Sequence, residues 1–155
     1  MGASRRRALA SAFGLALALA AAGVLGAALW RATAPPDGPE PVAFDRTPCA
    51  RCGMLVSDPR FAAQLQTRDG RVLHFDDPGC LLLYEHERAP EVQARWFRAA
   101  RAERWIPGGS VAFGPLEPSP MGYGLAAQER GAPGALSRAE ALERALARDA
   151  ARRGG

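Results

Sequence analysis

Between Ala8 and Trp30 the chain reads ALASAFGLALALAAAGVLGAALW, 23 residues without a charge. At the rise of an α-helix this run spans roughly 35 Å, against a hydrocarbon core of about 30 Å. The pattern predicts a membrane-crossing helix, followed by a proline-rich spacer, ATAPPDGPEP, from Ala32 to Pro41. From Val42 onward the apolar residues come in short mixed runs. Phe61 to Thr67 and Arg71 to Phe75 flank Asp69-Gly70, a pair that tolerates positive φ, and predict a β-hairpin. Asp76 or Asp77 then caps a helix with Pro78 at its first position, running to about Arg88 and burying Leu82, Leu83 or Tyr84. Val92 to Arg101 alternates like a strand.

The order then recurs. Ser110 to Leu116 and Gly122 to Gln128 read as a strand pair joined by EPSPM. Ser137 and Glu140 have capping-box spacing, with Leu136 before the cap to pack on Ala141, and Leu142 and Leu146 form a narrow apolar stripe. The expected fold class is α+β: two related β-hairpin-plus-helix units in a domain of residues 42–150, after a signal anchor at 1–31 and a linker at 32–41.

Charge changes this picture only at one end. The sequence pI of about 9.6 invites a nucleic-acid reading. All 20 basic side chains are arginine, and four of them lie in residues 1–31, which hold no acid. The remaining 16 arginines face 16 acids, so the basic balance belongs to the N-terminus and no nucleic-acid partner is expected. Arg5, Arg6 and Arg7 should stay cytoplasmic, which puts the rest of the chain on the periplasmic side of the inner membrane. Two cleaved alternatives compete with the anchor. Ala32 to Ala34 (ATA) offers a small-residue cleavage site, which Pro35 disfavours, and SRRRAL loosely resembles a twin-arginine signal.

The chemistry centres on Cys49 to Met54, CARCGM, in a chain with three cysteines and three methionines. A C-x-x-C can be a disulfide, a redox centre or a metal site, and spacing alone does not choose. A thioredoxin-like enzyme would place it at a helix start inside a βαβ unit, whereas here it precedes Gly53 and a loop. Zinc would need two further ligands from Cys80, His74 and His86, without a second C-x-x-C. Cys80, third in its helix, lies at the positive end of a helix dipole that favours thiolate, though Asp76 and Asp77 oppose this; ligand and buried core residue are both open readings. Met54 and Met121 each adjoin a glycine in a turn, where core filling is least expected. Thiolates with thioethers suit Cu(I), a soft cation.

CARCGM, DGRVLHFDD, ERWIPGGSVAF and PMGYGLAAQ together resemble the NosL family, accessory proteins for assembly of the copper sites of nitrous oxide reductase. The resemblance covers roughly Val42 to Ala147. It implies an α+β fold with two related halves and Cu(I) bound outside the cytoplasm. Delivery would go to the nitrous oxide reductase apoprotein with help from a membrane transport complex. By it Cys49, Cys52, Met54 and Met121 inherit a ligand role, and Cys80 matches less securely. Many members are lipoproteins, whereas this sequence has no cysteine before Cys49, so the apolar helix would replace the lipid. The function expected is that of a membrane-tethered Cu(I) metallochaperone rather than an enzyme. The alternative is a thiol-disulfide oxidoreductase that keeps partner cysteines reduced for metallation.

Overall fold

The computed structural model describes residues 19–29 and 37–154. The chain divides after Ala34 into two units. In the first, residues 19–29 are helical (α1). No helix among the described residues is long and apolar enough to cross a membrane. Most of the Ala8 to Trp30 run expected to do so lies outside them, as do Arg5 to Arg7 and spacer residues 32–36.

The second unit is α+β with two antiparallel sheets. Strands β1 (Ala63–Thr67) and β2 (Val72–Phe75) form the hairpin around Asp69-Gly70. Helix α2 (Pro78–Arg88) follows, and β3 (Val92–Arg98) returns beside β1. Strand β4 (Trp105–Pro107), absent from the sequence reading, pairs with β3 to complete the order β2-β1-β3-β4. Strands β5 (Val111–Gly114) and β6 (Ala126–Glu129) form the second sheet, and α3 (Arg138–Arg153) closes the chain. The hairpin-then-helix order thus occurs twice, with β3 and β4 inserted between.

The register explains the core. Phe75, Ala63, Phe97 and Ile106 form one row across all four strands of the larger sheet, and each is buried. That face receives α2, whose residues Pro78 to Leu83 are all buried, a wider apolar surface than the one face expected. The second sheet joins through an edge-to-face contact of Phe97 with Phe113, ring centroids 5.2 Å apart, and a parallel bridge from Ala99 to Ala127. Ser137 caps α3 and Glu140 completes its capping box, as the spacing predicts. The buried stripe of α3, however, is Ala141 and Ala145; Leu142 is partly buried and Leu146 is exposed. The small alanines turn the helix backbone toward the core, which rotates the leucines to the edge of the contact.

The other face of the larger sheet mixes Gln64 and Gln66 with Val72, Ala94 and Trp96, and a strap of chain covers part of it. Gln64 and Gln66 alternate with the core-facing residues of β1, yet both are buried. Gln64 accepts the Glu40 N–H at 2.9 Å and donates from its amide to the Glu40 carbonyl, while Gln66 donates to the Gly38 carbonyl. Gly38 and Glu40, expected within a free spacer, are therefore held on the sheet by side-chain amides that imitate a neighbouring strand. Replacing Gln64 with leucine removes both bonds to Glu40 and leaves its backbone groups unpaired. The expected cost is about 1–3 kcal/mol in urea unfolding, with faster proteolytic cleavage near Gly38.

Candidate metal centre

The C-x-x-C segment is a tight turn rather than the start of a helix. The Cys49 N–H donates to the Met54 carbonyl at 2.7 Å, and the Gly53 N–H to the Cys49 carbonyl at 3.0 Å. Gly53 has φ +78°, a conformation open to glycine and strained for other residues. Pro48 and Leu55 bridge at the base of the turn. The Ala50 N–H donates to the His74 carbonyl at 2.8 Å, which seats the turn on the edge of β2, two residues before Asp76.

Asp76 and Asp77 link β2 to α2, and they separate in role. Asp77 is the N-cap: its side chain accepts the Gly79 N–H at 2.8 Å and, from its other oxygen, the Met121 N–H at 3.3 Å. Burial pushes its carboxyl up to about 6. Asp76 instead meets the sulfur residues. The donor atoms of Cys49, Cys52, Asp76 and Cys80 all lie within 4.8 Å of one another. Cys49 is 3% exposed, Cys80 and Asp76 are buried, and Cys52 alone is partly open to solvent. No disulfide joins the three cysteines.

Cys80 hydrogen-bonds to the Cys49 sulfur, which draws the Cys49 thiol down to about 7 and drives that of Cys80 far up, with burial adding to the rise. Burial and the neighbouring Cys49 sulfur thus work against the lowering that the helix dipole would give the Cys80 thiol. Burial also raises Cys52, to about 12. A cation held by these sulfurs would have to displace their protons.

The sequence-predicted residues divide. Cys49, Cys52 and Cys80 converge, from two segments. Met54 is 52% exposed on the rim of the turn, and Met121 is half-buried against the core, so only the first fits the exposed thioether that the sequence suggested. His86 is exposed on α2. His74 is half-buried, its titration lowered by burial, and its Nδ1 has no partner. Neither histidine joins the cluster. Asp76, weighed in the sequence only as a cap and a repelling charge, is the residue missed; its place immediately before a true N-cap was the available signal.

Arg51, between the two cysteines, anchors the turn from behind. Its side chain is 9% exposed and donates to Glu87 at 2.7 Å, to Asp149 at 3.0 Å and to the Tyr123 hydroxyl at 2.8 Å. The Tyr123 hydroxyl donates in turn to Asp149 at 2.9 Å, and Arg153 pairs with Asp149 at 2.8 Å. Burial works against the Asp149 charge, yet Arg51 and Tyr123 outweigh it and hold the carboxyl well below its usual range.

The chain matches no family model, no curated protein and no solved structure. The class that the fold and site define is therefore an α+β domain with a cysteine and aspartate cluster able to hold a metal ion.

Removing Arg51 tests the anchor. Arg51→Leu should cost about 2–3 kcal/mol in denaturant unfolding, between the surface and buried limits for a broken pair. Because the folded Asp149 carboxyl is depressed, its contribution is present above the unfolded value of about 3.9 and is lost as pH falls below it. Wild-type stability should therefore drop on acidification below about pH 4, and the variant should show a shallower drop.

Proposed function

We propose that this protein is a carrier of Cu(I), not an enzyme. The observation that carries the reading is the convergence of three thiols from two chain segments within 4.8 Å, with one sulfur on the open side. Three soft donors in a low-coordinate site bind Cu(I) and still leave it displaceable. Transfer would proceed by ligand exchange, with an acceptor's donor entering beside Cys52 before the buried sulfurs let go. Met54, exposed two residues after Cys52, would donate to copper as it enters or leaves, and Met121 is the second thioether candidate.

The resemblance to the NosL family extends the proposal. It makes the acceptor the apoprotein of nitrous oxide reductase, reached with a membrane transport complex. The apolar N-terminal run would hold the domain on the periplasmic side of the inner membrane. In this reading the two halves of the domain are related units.

The rival reading is a thiol-disulfide oxidoreductase, which needs an accessible thiolate. Cys49, whose thiol is the one drawn down, is almost fully covered, and the more open Cys52 is held protonated. That division disfavours attack on another protein's disulfide, whereas a metal ion can displace the protons as it binds.

Competition between the reduced full-length protein and a chromophoric Cu(I) chelator checks the proposal. About one Cu(I) per chain should bind, much more tightly than Zn(II). Cys52→Ser should lose affinity by orders of magnitude. Met54→Leu, similar in volume, should keep the fold and lower affinity modestly while slowing transfer. Mixed disulfides trapped by Cys52→Ser, with no copper held by the wild type, would establish the rival instead.

A further inference from the structure

Asp76 is 1% exposed and serves no evident purpose in the fold. The helix cap beside it is Asp77, and no ion pair among the described residues includes Asp76. Its Oδ1 accepts the Cys52 S–H at 3.5 Å, and its Oδ2 is buried without a hydrogen-bond partner. A buried carboxylate oxygen left unpaired is costly, and a carboxylate oxygen of Asp76 lies within 4.8 Å of all three thiol sulfurs.

We propose that Asp76 completes a second coordination mode of this pocket, a four-donor set of three sulfurs and one oxygen that holds a tetrahedral divalent cation of the zinc class. The proposal rests on the reading that the thiols bind metal, and it adds a second class of cargo. Zinc takes thiolate at about 2.3 Å and carboxylate oxygen at about 2.0–2.2 Å, so tetrahedral donors stand roughly 3.5–3.8 Å apart. The four atoms here, all within 4.8 Å of one another, need to contract by about 1 Å at most.

Charge separates the two modes. Three thiolates and a carboxylate carry four negative charges, of which a divalent cation cancels two and a monovalent cation one. In a buried site the less compensated state is the costlier. Cu(I), a soft ion content with three sulfurs, gains little from a hard oxygen, whereas Zn(II) takes oxygen readily and prefers four ligands. Asp76 is thus a specificity-determining residue that strengthens divalent binding and adds nothing to Cu(I) binding.

The test titrates the reduced full-length protein, wild type and Asp76→Asn, with Co(II) as a visible stand-in for zinc and separately with Cu(I). Wild type should give the intense visible absorption of tetrahedral Co(II) with sulfur-to-cobalt charge transfer, displaced by Zn(II). Asp76→Asn should weaken Co(II) binding at least about tenfold and shift the visible bands, with Cu(I) affinity no weaker than that of wild type. Zinc-edge X-ray absorption of the wild type, which needs no variant, should count three sulfurs and one oxygen. Equal Co(II) affinity and spectra in the two proteins, or a zinc shell without oxygen, would overturn the proposal while leaving the Cu(I) reading in place. Failure of the wild type to bind either ion would overturn both.

Discussion

The guanidinium of Arg51 is the point through which the site is tied to the rest of the fold. The turn that carries Cys49 and Cys52 lies outside the named helices and strands, and a single backbone bond, from Ala50 to the His74 carbonyl, seats it on β2. Arg51 adds a second fixing, to the helices, by reaching Glu87 on α2, Asp149 on α3 and the Tyr123 hydroxyl. Tyr123 extends the constraint to the other half of the pocket, because its ring covers Gly79 so closely that a Cβ there would lie 2.3 Å from a ring carbon. Glycine at the second position of α2 is therefore what lets the tyrosine, the arginine and the head of the helix with Cys80 approach together. Removing the guanidinium and the Asp149 carboxylate from water offsets much of their mutual attraction, and the Glu87 carboxylate stays open to solvent. The network consequently does more to set the separation between Cys49 or Cys52 and Cys80 than to add stability.

What could be read in the chain beforehand follows from how local each signal is. Asp69-Gly70, the Asp77-Pro78 start and the Ser137–Glu140 box act through bonds within a few residues, and each element stands where those signals put it. Strand β4 has only three residues, too few for alternation to show, and it exists because β3 offers an edge. The burial of Ala141 and Ala145 in place of the leucines depends on close approach to other elements, which periodicity in one helix does not encode. Gly38 and Glu40 looked like spacer because their bonds run to Gln64 and Gln66, residues more than twenty positions away.

The same distinction applies to the site. Both cysteines of the C-x-x-C announced themselves by spacing, while the participation of Cys80 depended on β2 and α2 folding back beneath the turn. Its ionisation could not be guessed from the helix dipole alone, since burial and the neighbouring Cys49 sulfur, neither visible in the sequence, both push its thiol up. Asp76 was masked by Asp77: two adjacent aspartates before a proline both read as caps, and only the backbone decides which one turns inward.

The asymmetry of the pocket bears on how a carrier of this kind would release its ion. Cys49 and Cys80 are covered, while Cys52 is partly open and is followed by Met54 and Leu55, both exposed. An approaching donor can therefore reach the ion from one side only, and the sulfur that it competes with first is the one that already faces solvent. The adjacent Arg51 holds the turn in place from behind, so displacement of Cys52 does not require the turn to leave its seat on β2. Exchange would then be stepwise, with the two buried sulfurs keeping the ion bound until an incoming ligand has formed its bond. A site open on both sides would lose the ion to solvent ligands, and one with all three sulfurs covered would have to unfold locally to release it.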